Sequence, residues 1–281
     1  MTWIEVVILG IVEGLSEFLP ISSTGHMIIA SSIMGINEEA FTKLFEICVQ
    51  FGAILSVVVL YWKKFFDFAR LDFYLKLVAA FIPAAIMGAL FSKKIDALLE
   101  SSMVVGVSFF VGGVVLLFID SVFQKGTIDN DKEIGYPKAF IIGCFQVLAM
   151  VPGVSRSAST IVGGLSQKLT RKMAAEFSFF LAVPTMAAAT AKKLWDFHKE
   201  GIAFQPGQVS MLLVGNVIAF VVALIAIKSF ITYVQKNSFR AFGVYRIIAG
   251  IAVIAMIYTG VIKKSGSHDI ATPAATEQPA K

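Results

Sequence analysis

The sequence EGLSEFLPISSTGH, residues 13–26, interrupts an apolar stretch near the N-terminus with charges, hydroxyls and a proline. Pro20 ends a helix because its ring fixes φ and its nitrogen has no hydrogen to donate. Serine and threonine after such a break can cap a new helix. The pattern therefore predicts a helical hairpin that enters a membrane and returns, with a polar turn at its tip.

A second polar break lies at residues 146–160, QVLAMVPGVSRSAST, again between apolar stretches. PISS at residues 20–23 matches PGVSR at residues 152–156 with one insertion, and Glu46 and Glu176 follow the two breaks at similar distances. We interpret the chain as two repeats, each made of one hairpin and three spans. A hairpin returns to its own side and three spans do not, so the repeats must insert with opposite orientation.

The rest of the chain is too apolar for a soluble protein. Hydrophobic residues make up 57% of the 281 residues and charged residues only 15%, against about 25% charged residues in an ordinary soluble domain. Apolar runs near the ~20 residues that a spanning helix needs predict six spans, at 42–62, 73–92, 102–121, 174–192, 208–228 and 243–262. The predicted fold class is an all-α integral membrane protein with an inverted-topology repeat, six transmembrane spans and two re-entrant helical hairpins.

We predict a single membrane domain over residues 1–262, with the first repeat at 1–121, a linker at 122–136 and the second repeat at 137–262. The tail, 263–281, is rich in small and polar residues, which predicts disorder. The predicted inner loops carry more Lys and Arg than the outer loops, which places both termini outside. The net charge of +5 forms no dense basic patch, which argues against nucleic acid as a partner.

Two carboxylates precede the first break. Glu13 and Glu17 are four residues apart and share one helix face, at a depth where a charge is costly and needs a partner or a role. Such a pair can hold a hard divalent cation, Mg²⁺ or Ca²⁺, together with phosphate oxygens. The alternative is that both line a water-filled vestibule. We favour the metal or catalytic role because hydroxyls and a histidine follow directly.

The residues after Pro20 supply hydroxyls and a base. His26 lies three residues after Ser23, on an adjacent helical position, and histidine transfers protons near neutral pH. A hydroxyl needs such a base to act as a nucleophile. The sequence does not distinguish Ser22 from Ser23 as the better aimed hydroxyl, and His26 could instead only hydrogen-bond a carbonyl.

Arg156 carries the charge of the second break. Its guanidinium presents N–H donors in a fork that fits phosphate, and a helix that starts after Pro152 would add backbone N–H groups to an anion site. The predicted phosphate-binding residues are Ser22, Thr24, Ser155, Arg156 and Ser157. Arg156 could also pair with Glu13 or Glu17 and so join the repeats.

Glu46, Glu176 and Arg246 are further charges at membrane depth. We interpret them as a buried carboxylate–arginine arrangement that holds spans together.

Both breaks resemble the signatures of the undecaprenyl-diphosphate phosphatases, the bacitracin-resistance family. The likeness runs from about residue 3 to 262 and includes EFSFFLAVP at 176–184. One departure is Ala158, where the family pattern usually has glycine. The resemblance implies a ten-helix fold, a divalent-cation requirement, and hydrolysis of undecaprenyl diphosphate to the monophosphate on the outer side of the bacterial inner membrane.

Carried onto this chain, the resemblance implies catalytic roles for Glu17, Ser23, His26 and Arg156, with Glu13 and Thr24 close by. It also implies that the lipid carrier is recycled for peptidoglycan synthesis and that raised activity gives bacitracin resistance. Either Ser23 attacks the phosphorus, or water does after activation by His26 or Glu17.

The rival function is a transporter or flippase of a polyisoprenoid phosphate, because inverted repeats with broken helices are common in secondary transporters. A channel or scaffold would explain neither the hydroxyl, histidine and arginine cluster nor its depth. The sequence leaves open whether the chain forms a homodimer.

Overall fold

The computed structural model describes residues 1–99, 101–123, 126–200 and 204–262, so the predicted disordered tail, 263–281, lies outside the described residues. Two short 3₁₀ turns, Asp131–Glu133 and Leu148–Met150, lie in the described ranges. The α-helices of these ranges are α1 Trp3–Ser16, α2 Ser23–Ile33, α3 Ala40–Cys48, α4 Gln50–Leu60, α5 Trp62–Phe65, α6 Leu71–Leu99, α7 Ser102–Val122, α8 Tyr136–Val147, α9 Arg156–Ser166, α10 Arg171–Lys199, α11 Gln208–Lys236 and α12 Arg240–Tyr258.

The six predicted spans are confirmed. Six described stretches are long and apolar enough to cross a membrane: Ala40–Leu60, Leu71–Ser92, Ser102–Val122, Arg171–Lys199, Gln208–Lys236 and Arg240–Tyr258. Helices α10 and α11 run past their predicted ends, because hydropathy marks only the apolar part of a helix and both continue into polar turns.

Helices α1 and α2 form one re-entrant hairpin, and α8 and α9 form the other. The longest of these four helices has 14 residues, or about 21 Å at the α-helical rise, which is short of the ~30 Å hydrocarbon core. Each pair is therefore too short to span twice. The predicted fold class is confirmed, with each break at the tip of a hairpin.

The two repeats pack on each other in a reciprocal manner. Helix α1 packs on α11 and α8 packs on α6, which are equivalent helices of the two repeats. Likewise α4 packs on α11 and α10 on α6, while α7 packs on its own equivalent, α12. This exchange is the packing of two repeats related by a pseudo-two-fold axis, and it brings the hairpin tips together.

The close packing of α7 on α12 depends on glycine. A Cβ atom built on Gly113 would lie 2.8 Å from the carbonyl oxygen of Gly243, and a Cβ on Gly243 would lie 2.8 Å from the carbonyl oxygen of Gly113. Small residues let membrane helices approach this closely. The crossing places α12 beside the hairpin tips.

The segment between the repeats is held at the opposite membrane face from the N-terminus. Asp131 accepts hydrogen bonds from Lys64 Nζ at 3.1 Å and Arg70 Nη2 at 2.5 Å. At the other face, the N-terminal ammonium group contacts Glu39 Oε2 at 3.0 Å. The N-terminus and the start of the first span therefore lie on the same side.

Candidate active site

The two breaks have the same backbone geometry. Ser22 has φ of +73° and Ser155 has φ of +76°, which is uncommon for residues other than glycine. Ser22 Oγ accepts a hydrogen bond from Gly25 N and caps α2, while Ser155 Oγ accepts from Ala158 N and caps α9. The motif that suggested the repeat is therefore one strained turn used twice, as is common at functional sites.

A cavity of about 220 Å³ lies between the two breaks. Helices α2 and α9 both begin at its wall, and the first N–H groups of a helix have no carbonyl partner within it. Two helix N-termini facing one space favour an anion there. The residues of the breaks that line the cavity are Glu17, Ser22, Ser23, Thr24, Gln146, Ala149, Met150, Pro152, Gly153, Ser155 and Arg156.

One carboxylate joins the two breaks. Ser23 Oγ donates to Glu17 Oε2, and Arg156 Nη2 donates to Glu17 Oε1 at 3.0 Å. Arg156 Nη1 donates to the carbonyl oxygen of Ser178 at 2.8 Å. The structure thus forms the pair between Arg156 and Glu17 that the sequence offered as an alternative. The buried Arg156 Nε has no hydrogen-bond partner among the described residues, which leaves a donor for a ligand.

Ser157 and Thr160 support Arg156 from the second hairpin. Ser157 Oγ, in a residue only 1% exposed, donates to the carbonyl oxygen of Phe18 at 2.8 Å. Thr160 Oγ1 contacts Ser178 Oγ at 2.7 Å. Ser157, predicted to bind phosphate, therefore lies between the hairpins and outside the residues that line the cavity.

Glu13 is the least satisfied group of the region. It is 0% exposed, and neither carboxylate oxygen has a hydrogen-bond partner in the described part of the chain. A buried charge without a partner is costly, and Glu17 lies close enough to act on it electrostatically. Two adjacent carboxylates supply the hard oxygen ligands that Mg²⁺ and Ca²⁺ prefer.

The chain alone does not complete a metal site. Within the described ranges, no group of three or more His, Cys, Asp or Glu side chains is placed to hold an ion. Mg²⁺ in particular is usually bound by one or two carboxylates, with substrate phosphates and water as the other ligands. Glu13 and Glu17 supply the two carboxylates of that pattern, of which Glu17 lines the cavity and Glu13 is buried outside its lining.

The hydrogen bonds of the His26 ring in the described structure go to groups other than the Ser23 hydroxyl. His26 Nδ1 lies 2.7 Å from the carbonyl oxygen of Ser22 and its Nε2 lies 2.6 Å from the hydroxyl of Tyr245. A carbonyl oxygen only accepts, so Nδ1 carries the proton and, in the neutral ring, Nε2 accepts from the tyrosine. His26 thus holds the strained turn and faces α12, while the Ser23 hydroxyl contacts Glu17 on the cavity side.

The predicted carboxylate–arginine arrangement of Glu46, Glu176 and Arg246 is wrong. Arg246 is completely buried and donates to five backbone carbonyls, while Glu176 accepts from the Tyr61 hydroxyl. Broken helices leave carbonyls unpaired at membrane depth, and these must find donors inside the protein. The two breaks in the sequence indicated that such carbonyls exist, but they did not indicate that Arg246 is the donor.

The sequence also missed Gln146 and Ser178. Gln146 lines the cavity, and its Oε1 lies 3.2 Å from the Thr185 hydroxyl. Ser178 receives Arg156 and thereby fixes its guanidinium. Both are uncharged residues within helices. Gln146 begins the second break but gave no signal of a role, and only the tertiary structure brings Ser178 to the breaks.

The model of the family described as bacitracin resistance protein BacA matches residues 6–252. A protein of Flavobacterium psychrophilum is 59% identical over 254 residues, covering 90% of this chain and 95% of that protein. A protein of Flavobacterium johnsoniae is 56% identical over 255 residues, covering 90% and 96%. A protein of Bdellovibrio bacteriovorus is 52% identical over 262 residues, covering 92% and 98%. Each of these three relatives is named Undecaprenyl-diphosphatase.

Proposed function

The chain belongs to the bacitracin resistance protein BacA family, and we propose that it hydrolyses undecaprenyl diphosphate to undecaprenyl phosphate and phosphate. The observation that carries this proposal is the contact of Glu17 with both Ser23 and Arg156 where the hairpins meet. Phosphoryl transfer needs mainly positioning and charge stabilisation. A paired hydroxyl and carboxylate, an arginine and two helix N-termini supply both.

The cavity fits the polar end of a lipid. The diphosphate lies against the first turns of α2 and α9, with Thr24 and Ser155 on its flanks. Arg156 keeps its bond to Ser178 and turns its free Nε donor to a phosphate oxygen. The start of the prenyl chain lies on the apolar side chains of the same cavity, which are Ala84, Ile95, Ala149, Met150, Pro152, Met186 and Ala189.

Ser23 is the nucleophile of the proposed reaction. Its Oγ attacks the terminal phosphorus while its proton passes to Glu17 Oε2, the oxygen that it already contacts. The bond from that phosphorus to the bridging oxygen breaks, and undecaprenyl phosphate leaves. Water then attacks the phosphoserine, Ser23 Oγ recovers the proton from Glu17, and dihydrogen phosphate is released. Arg156 stabilises the charge on the phosphoryl oxygens in both steps.

A divalent cation, Mg²⁺ or Ca²⁺, held by Glu13 and Glu17 would neutralise charge on the bound diphosphate. The unpartnered oxygens of Glu13 support this assignment.

The proposed location is the bacterial inner membrane, with the site open to the outer side. The cavity residues of α10, Met186 and Ala189, lie in its C-terminal half, and Ile95 lies near the C-terminal end of α6. Both helices run towards the face where the N-terminus lies. The excess of Lys and Arg in the opposite loops supports the assignment of that face to the outer side. Product formed there is in place for recycling of the carrier in peptidoglycan synthesis, and this activity accounts for bacitracin resistance.

Phosphate release tests the proposed function. The purified protein in detergent, supplied with undecaprenyl diphosphate and Mg²⁺ or Ca²⁺, is expected to release one phosphate per lipid. EDTA is expected to stop the release, and added cation to restore it. A release rate that EDTA does not change would contradict the proposed role of the cation but not the proposed phosphatase activity. No release by folded wild-type protein would favour a transporter or flippase of the same lipid phosphate.

The role of His26 is tested by comparing two substitutions. His26→Asn keeps an N–H near the position of Nδ1 that can donate to the Ser22 carbonyl, whereas His26→Ala does not. We expect His26→Ala to lower kcat/KM for phosphate release by about tenfold, the scale of one lost buried hydrogen bond, and His26→Asn to recover most of it. Equal losses on the order of 10³-fold in both variants would instead make His26 a proton-transfer group.

A further inference from the structure

We propose that Arg246 is a positioning residue that holds the two hairpin breaks in register for phosphoryl transfer. This inference rests on the proposed function, since the register matters only if Ser23 and Arg156 act on one substrate. Arg246 belongs to α12, which contributes no residue to the cavity lining.

The guanidinium of Arg246 connects three parts of the chain. It is 0% exposed, and all three of its nitrogens donate to backbone carbonyls. One acceptor lies in the first break, two lie in the second and two lie on α7. The acceptors are Pro20 O at 3.2 Å and Val154 O at 3.0 Å from Nη1, Gly153 O at 2.7 Å and Ser108 O at 2.9 Å from Nη2, and Phe109 O at 3.4 Å from Nε.

The three acceptors in the breaks, Pro20 O, Gly153 O and Val154 O, need a donor, and one arginine serves all of them. A break in a helix frees carbonyls at a depth where no lipid group can satisfy them. Arginine presents five N–H donors in one rigid plane, whereas lysine presents three from a single point. One arginine therefore fixes the relative position of two turns that different hairpins supply.

The reacting groups follow directly after the anchored carbonyls. Ser23 comes three residues after Pro20, and Arg156 comes two residues after Val154. Because a trans peptide is planar, the Val154 carbonyl that points to Arg246 turns the Ser155 N–H the opposite way. Moving the guanidinium therefore changes the position of Ser23 relative to Arg156 as well as the first N–H groups of α9.

Arg246 also leaves a net positive charge behind both turns. Its partners in the described part of the chain are carbonyl oxygens, and none of the ion pairs found there includes it. A fixed cation behind two helix N-termini favours the negative charge of a bound diphosphate.

Gly112 on α7 offers a second way to move the guanidinium. A Cβ atom at Gly112 would lie 2.3 Å from Arg246 Nη2 and 2.7 Å from Cζ. Gly112→Ala therefore displaces the guanidinium and keeps its charge. Gly106 is the matched control on the same pair of helices, because its Cβ would crowd the side chains of Ile254 at 2.9 Å and Val253 at 3.3 Å and lie at ordinary contact distance, 3.6 Å, from the carbonyl oxygen of Gly250.

The experiment compares the wild type with Arg246→Lys, Gly112→Ala and Gly106→Ala. For each protein, kcat and KM are measured by phosphate release from undecaprenyl diphosphate, and the thermal unfolding midpoint is measured as well. We expect Arg246→Lys and Gly112→Ala to lower kcat by about a hundredfold, the scale of a misplacement near 1 Å, with little change in KM. Gly106→Ala is expected to keep kcat within about twofold of the wild type, since it alters packing away from the breaks. The double variant Arg246→Lys with Gly112→Ala is expected to lose no more than the worse single variant, because both act on one contact.

Two results would overturn the inference. One is wild-type kcat in both Arg246→Lys and Gly112→Ala. The other is an equal fall of kcat in Gly112→Ala and Gly106→Ala at equal thermal midpoints, which would make helix packing the whole effect. If Arg246→Lys does not fold, the comparison of Gly112→Ala with Gly106→Ala tests the inference by itself. Absence of phosphate release from the wild type would instead refute the proposed function.

Discussion

Glu17→Gln is expected to lower kcat for phosphate release by about 10³-fold, within the range that a general base contributes. Glu17 Oε2 accepts from the Ser23 hydroxyl and Oε1 accepts from Arg156. Both neighbours donate, so the amide of glutamine must turn its NH₂ group towards one donor or the other. The substitution thus removes the proton acceptor of Ser23 and breaks the hydrogen bond to either Ser23 or Arg156.

The matched control is Glu176→Gln, which changes another intramembrane carboxylate that the Tyr61 hydroxyl contacts. Its kcat is expected to stay within about threefold of the wild type, as it does not line the cavity and a single neutral hydrogen bond is worth about 1 kcal/mol. Steady-state phosphate release, with the thermal unfolding midpoint of each variant, checks both values. Activity of Glu17→Gln within about tenfold of the wild type would exclude Glu17 as the base.

The spans and hairpins could be predicted because their signals are local. Apolar runs near 20 residues mark spans by themselves, and the Pro and Ser residues at each break stop one helix and cap the next. The pairing of Glu17 with Arg156 could also be anticipated from the sequence. A charge at membrane depth needs a partner, and few charges lie near the breaks.

The contacts of His26 and Arg246 could not be predicted, since both depend on tertiary geometry. Helical spacing puts Ser23 and His26 on adjacent positions, but Ser23 is the first residue of α2, directly after a turn with positive φ at Ser22. There its hydroxyl reaches back across the break to Glu17. The sequence shows that Arg246 is a charge in a span. It does not show which carbonyl oxygens the breaks leave free, and these carbonyls, rather than carboxylates, are the partners of Arg246.

Ser23→Ala is expected to lower kcat on the order of 10⁴-fold or more, the scale of losing a nucleophile. Among the described serines of the first break, Ser23 is the one whose hydroxyl donates a hydrogen bond to Glu17, so it is the serine that is paired with the base. Rapid acid quench of the wild type during turnover, followed by peptide mass spectrometry, is expected to find phosphate on Ser23. The same procedure is expected to find none in Ser23→Ala.

Ser22→Ala is the comparison that separates the two adjacent serines. Ser22 Oγ caps α2 through Gly25 N, so its loss is expected to cost stability by about 1 kcal/mol while the nucleophile stays in place. Turnover is then reduced far less than in Ser23→Ala. The opposite order, with phosphate found on Ser22, would move the nucleophile by one residue. Wild-type turnover in both variants without any phosphoserine would mean that water attacks the diphosphate directly, with Glu17 as its base.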